Sequence, residues 1–169
     1  PRTLISRNNL AGSYREVGRL DEAIDLYERN LDDGLRILGP DHPYIFSSRS
    51  NLAGAYESAG RLDKAVPLFE RTLADRERVL GPDHPDTLTA RNNLAGAYHA
   101  AGRLDEAINL LEQSLTDRAR VLGPDHPDVL GARNNLASAY KSAGRLDEAI
   151  DLYEQNLKDC RLILSPDHP

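Results

Sequence analysis

Methionine and tryptophan are absent from this chain, cysteine occurs once, and the aromatic rings are supplied by 7 Tyr and 2 Phe. Each shortage excludes something. A single thiol, Cys160, cannot close an internal disulfide, and it fits a reducing, cytoplasmic compartment. Charged residues interrupt every apolar stretch within a few positions, so no transmembrane span is expected. No secretory leader is visible at the start. Basic residues are in deficit: 21 Lys and Arg against 27 Asp and Glu leave a formal charge of -6. That is the wrong sign for gripping nucleic-acid phosphates or an anionic membrane. The lack of Met, with Pro1 at the start, is read as the mark of a segment from a longer array. What remains is rich in Ala, Leu and charge, which is a helical composition.

What is present is repetition. Asn9, Asn51, Asn93 and Asn135 fall at steps of 42 positions, as do Tyr14, Tyr56, Tyr98 and Tyr140. The tetrad Pro-Asp-His-Pro recurs at 40–43, 82–85, 124–127 and 166–169. Four whole units follow, at about 2–43, 44–85, 86–127 and 128–169, read as one domain over 1–169. In the third unit, Pro85 and Asp86 open a helix whose apolar stripe is Leu88, Leu94, Ala95 and Tyr98. Gly102 stops it. A second helix starts near Asp105 and Glu106, carries Ala107, Ile108, Leu111, Leu115 and Leu122, and ends at Gly123-Pro124. The short turn at Gly102-Arg103-Leu104 makes the two helices antiparallel. Neither can bury its stripe alone, so the units must stack.

Leu94, Ala95, Tyr98, Gly102, Leu104, Ala107 and Leu111 together resemble the tetratricopeptide repeat. The long period, the Asn92–Ala95 start and the Val121–Pro127 ending are similar to its kinesin-light-chain-like variety, which also occurs in arrays attached to signalling NTPases. The resemblance implies an all-α, right-handed superhelical solenoid of four helix–turn–helix repeats and eight helices. It also implies a module that binds a peptide or partner protein in a concave groove lined by the first helix of each repeat. Neither enzyme activity nor a cofactor is expected.

On a helical wheel, the face of each first helix opposite its stripe repeats asparagine and glycine, both unfavourable in helices. Asn8, Asn9, Ser50, Asn51, Asn92, Asn93, Asn134 and Asn135 are therefore candidate binding residues, since an amide can both donate to and accept from a bound backbone. The family's matching asparagines grip peptide backbone, which carries the same role to these positions by resemblance. Gly12, Gly54, Gly96 and Ser138 would leave room for a ligand. Arg15, Glu57, His99 and Lys141 occupy one position and differ from unit to unit, so selectivity is expected there. The competing reading is that Asn bonds to the neighbouring helix and Gly permits close helix approach. The array would then be a structural spacer or sensor arm of a larger signalling NTPase.

Four further features need placing. The Asp-His pairs at 41–42, 83–84, 125–126 and 167–168 invite a metal-dependent enzyme, but each lies a full repeat from the next, and the same residues suit a helix start. No metal site is expected. Pro67 falls inside a second helix, where it should remove one backbone hydrogen bond. Arg7, Arg49, Arg91 and Arg133 sit mid-stripe, where an unpaired charge is costly, so a ladder of pairs is expected with Asp33, Asp75, Asp117 and Asp159, within or between units. Finally, Leu162, Ile163 and Leu164 make the last helix end apolar, and weak end-to-end self-association is expected.

Overall fold

The computed structural model describes the backbone of residues 2–163 and side chains through Arg161. Expectations placed on Leu162, Ile163 and Leu164 as side chains, and on the pair at 167–168, lie outside the described residues. Eight α-helices and no strand occur among them: α1 (Arg2–Glu16), α2 (Leu20–Leu38), α3 (Pro43–Ser58), α4 (Leu62–Leu80), α5 (Pro85–Ala100), α6 (Leu104–Leu122), α7 (Pro127–Ser142) and α8 (Leu146–Ile163). The chain divides into two compact units, residues 1–82 and 83–169, each holding two helical hairpins.

Within the first unit α1 packs on α2, α2 on α3 and α3 on α4; the second unit repeats the pattern with α5 to α8. The core of the second unit gathers Ala95, Ile108, Leu111, Leu136, Ala139, Tyr140 and Ala149. Its small residues let α5 and α7 approach α6 closely, and the larger ones fill the space between hairpins. In the first unit, Gly34 makes room for Ile45, whose Cδ1 would lie 2.9 Å from a Cβ at that position.

The Asp-His pairs resolve into capping. His42, His84 and His126 are the N-cap residues of α3, α5 and α7, and in each the ring nitrogen Nδ1 accepts from the backbone N–H two residues on, at 3.1 Å. A proline follows at N1, where no N–H is needed. The neighbouring aspartates are taken up by arginines: Asp41 pairs with Arg78 and Asp83 with Arg120, fastening each loop to the end of the second helix that follows. No cluster of three potential metal ligands occurs among the described residues.

The inner turns follow one design. Gly102, at φ +74°, leaves the helical region, and N–H groups at 102 and 103 bond back to His99 and Tyr98. Arg103 then lies over the Tyr98 ring, 4.0 Å from its centre, and pairs with Glu106. Arg19 and Arg145 do the same over Tyr14 and Tyr140. The second hairpin differs because Lys64 stands where the others carry Glu. Lys64 covers Tyr56 instead, and Arg61 turns to Asp21 of the preceding hairpin.

The charge ladder is present, with every rung inside one hairpin. Arg7–Asp33 and Arg49–Asp75 close at 2.7 Å, Arg91–Asp117 and Arg133–Asp159 at 2.6 Å. Pro67 is accommodated: α4 runs through it and keeps it on the exposed side.

Candidate functional site

In the second unit the first helices bring three of the expected binding residues, Asn92, His99 and Asn135, around one depression. This depression, of about 230 Å³, opens between α5 and α7, lined by Asn92, Gly96, His99, Asn135 and Ser138 over a floor of Ala95, Leu111 and Ala139. Beyond the adjoining backbone of its own helix and its chain neighbours, no atom lies within 4 Å of a Cβ built on Gly96. Glycine there is not a device for close helix packing, and the space above it is open. The His99 ring hydrogen-bonds Ser142 at 2.8 Å, and Lys141, next to Ser142 in the chain, is exposed. A smaller recess of about 200 Å³ continues from Asn92 and Asn135 to Gly131, Arg118 and Asp128.

The asparagine rows divide. Asn51 donates its amide to Asn8 at 2.9 Å and Asn135 to Asn92 at 3.4 Å, each joining the first helices of adjacent hairpins. One donor and one acceptor are used per pair, which leaves the NH₂ of Asn8 and Asn92 and the carbonyl oxygens of Asn51 and Asn135 to other partners. Asn9 and Asn93 are exposed. Asn134 accepts from Asn156 at 2.7 Å. The hydroxyl of Ser50 is buried with no hydrogen-bond partner. In the first unit the Arg15 guanidinium lies over Gly54, where a Cβ would meet it at 3.0 Å. Burial raises the Glu57 carboxyl above its ordinary range, and Arg15 offsets part of this.

Sequence reasoning missed a row of buried polar residues on the second helices, one of which, Asn156, holds Asn134. Asn30, Thr72, Ser114 and Asn156 occupy one position of the second helices, and all are buried. Asn156 also donates to the Leu130 carbonyl at 3.1 Å, and Asn30 donates to the Tyr44 hydroxyl at 2.6 Å. The available signal was a small polar residue recurring every 42 positions inside an apolar stripe. Two inter-hairpin bonds were missed likewise: the Tyr56 hydroxyl donates to Glu28, and that of Tyr140 to Glu112 at 2.5 Å.

The Leu-Ala-x-x-Tyr and Gly-Arg-Leu-Asp-x-Ala elements, now seen to build these hairpins, match the family model for the tetratricopeptide repeat over residues 2–78, 44–119 and 98–161. The chain belongs to the tetratricopeptide repeat family. Its array is of the kinesin-light-chain-like type. A solved structure from Podosopora anserina, described as putative kinesin light chain nearly identical TPR-like repeats, is 35% identical with a TM-score of 0.87, covering 99% of this chain and 79% of that one. A substituted variant of that same protein has a TM-score of 0.88 at the same identity and coverage. BtubC (BKLC) from P. vanneervenii shares the fold with a TM-score of 0.82, at 23% identity over 96% of this chain and 65% of that one. No curated protein matches. Tetratricopeptide repeats are typically protein–protein interaction modules and generally non-enzymatic. No helix among the described residues is long and apolar enough to cross a membrane.

Proposed function

We propose that the chain is a protein-binding module that holds an extended peptide or partner segment along its first helices. The observation that carries this reading is the depression between α5 and α7. Amides from Asn92 and Asn135 stand at its rim, an apolar floor lies beneath, and the space over Gly96 is open. A bound strand would exchange backbone hydrogen bonds with the asparagines, each contributing about 0.5–1.5 kcal/mol net, and place a small apolar side chain on Ala95 and Leu111. Arg15, Glu57, His99 and Lys141 would select a ligand of mixed charge. Neither a nucleic acid nor a membrane suits a chain of net charge -6, and the half-buried single thiol fits a cytoplasmic setting.

One observation favours the second reading, a structural spacer or sensor arm: the Asn51–Asn8 and Asn135–Asn92 bonds already use part of the amide capacity. Selecting peptides from a displayed random library and measuring them by calorimetry separates the two. Under the binding reading, Gly96→Leu abolishes affinity for the selected peptides while the melting curve stays unchanged. Peptides that bind Gly96→Leu and Asn135→Ala as well as the native chain place the site elsewhere. A library that yields no ligand supports the spacer.

A further inference from the structure

Nε2 of the His99 ring lies 2.8 Å from the hydroxyl oxygen of Ser142, and the two atoms alone do not say which donates. A second contact decides it. The same hydroxyl lies 3.1 Å from the carbonyl oxygen of Ser138, which can only accept, and a serine has one proton to give. Other hydroxyls of the first helices place their proton in this way. Ser13 donates to the Asn9 carbonyl, Ser47 to that of Pro43 and Thr89 to that of Pro85. Ser58, at the position of Ser142 two repeats earlier, donates to the Gly54 carbonyl at 2.8 Å, with no histidine at the matching place on α1. Ser142 therefore gives its proton to Ser138 and accepts from His99. Nε2 carries the imidazole proton, and Nδ1 of the neutral ring is an acceptor.

That acceptor is unused. No hydrogen bond to Nδ1 of His99 occurs among the described residues, while the ring itself lines the depression between α5 and α7. We infer that His99 selects ligands by accepting a hydrogen bond at Nδ1 from a neutral N–H or O–H of the bound segment. This role rests on the reading of the depression as a peptide site, and it fixes what one place in that peptide must carry. The bond to Ser142 holds the ring, so little freedom is lost when the donor arrives. Neighbouring polar groups do not make the same distinction. Asn92 and Asn135 both donate and accept, so either kind of ligand group suits them, and Lys141 only donates. A carboxylate set against Nδ1 finds no proton there and fits only if the ring takes one up from solution. An apolar group takes water from Nδ1 and returns no bond. Both are disfavoured. The donor that fits is a backbone N–H, or a side-chain amide, hydroxyl or indole N–H.

The first test needs no ligand. Nitrogen NMR of the 169-residue chain carrying isotope-labelled histidine is expected to show Nε2 of His99 protonated and Nδ1 bare, with the signals assigned by their absence from His99→Phe. A proton on Nδ1 overturns the proposal. The second test uses peptides selected from a displayed random library. Each is remade with single backbone N-methyl groups, and separately with its donor side chains truncated. At one site the loss of affinity is expected to be about 3- to 10-fold against the native chain and absent against His99→Phe. N-methylation marks a backbone donor, and truncation a side-chain one. His99→Asn, whose oxygen lies at the level of Nδ1, is expected to keep more affinity than His99→Gln, whose polar atoms lie one bond further out. Calorimetry in two buffers is expected to find no proton taken up on binding. Peptides that bind His99→Phe as tightly as the native chain, or that bind only with proton uptake, overturn the role of His99 and leave the peptide site standing. A library that yields no ligand removes the peptide site and this role together.

Discussion

At the scale of single residues, the buried arginines set the largest costs. Arg49 is 2% exposed and rests on Asp75, which Arg78 also contacts at 3.3 Å. Burial alone would raise the Asp75 carboxyl, but hydrogen bonds from Arg49 and Arg78 outweigh it and hold the group below its ordinary value. Asp75→Ala leaves a buried guanidinium without its main partner and is expected to cost about 3–5 kcal/mol in urea melts. Arg49→Ala is expected to cost less, because Asp75 keeps Arg78 and partial access to water. Replacing both by leucine should come close to neutral. A neutral Asp75→Ala would mean that the rung contributes nothing. The tyrosines make a separate prediction. Burial, and then the hydrogen bonds to Glu28 and Glu112, push Tyr56 and Tyr140 up to about 12. A folded value above the unfolded one, about 10, means the contribution is complete below the unfolded value. It is lost as pH climbs through the folded value. Thermal midpoints should therefore fall between about pH 10 and 12, and the fall should be shallower in the Tyr56→Phe, Tyr140→Phe double variant.

At the scale of helices, the caps and one proline can be tested separately. The His84 ring supplies the acceptor that the first turn of α5 lacks, so His84→Ala should cost about 1 kcal/mol and His84→Asn much less. An equal loss in both variants would show that the ring acts through packing and not as an acceptor. Pro67 stands where the other second helices carry Asp25, Asn109 and Asp151. Its ring removes one hydrogen bond from α4 and offers no buried contact in exchange, being exposed. Pro67→Asn is expected to stabilise the chain by about 1–3 kcal/mol, read from the shift in denaturant midpoint at constant slope.

At the scale of the whole chain, what matters is how many neighbours each helix has. Among the described residues of the second unit, α6 is packed by α5 and α7, while α8 is packed by α7 and leaves Leu146, Ile150, Tyr153 and Leu157 exposed. Local opening of α8 therefore exposes less apolar surface and breaks fewer contacts. Amide hydrogens of α8 are expected to exchange faster than their equivalents 42 positions earlier in α6. Equal protection at a concentration where the chain is monomeric would show that helix packing does not set local stability here.

The sequence alone determined the helices, their pairing into hairpins, the repeat family and the charged rungs, because these depend on intervals within one repeat. Leucine, alanine and tyrosine at helical spacing reveal the buried face, a glycine before Arg-Leu-Asp marks a turn, and His-Pro marks a helix start. An arginine in a buried stripe demands an acid nearby, and the rungs span only 26 positions. Spacing could not choose between Asp117 and Asp75 for Arg91; antiparallel packing within the hairpin chose Asp117. Contacts between hairpins were legible only as tertiary structure. Tyr56–Glu28 and Tyr140–Glu112 lie 28 positions apart, Asn51–Asn8 and Asn135–Asn92 lie 43 apart, and their approach is set by how one hairpin lies on the next. The asparagine rows show the division most clearly. Their repetition on a polar face marked them out in the sequence, but which amide bonds its neighbour and which faces open space depends on the distance between two first helices. Helical periodicity reports the face a side chain occupies and carries no information about that distance.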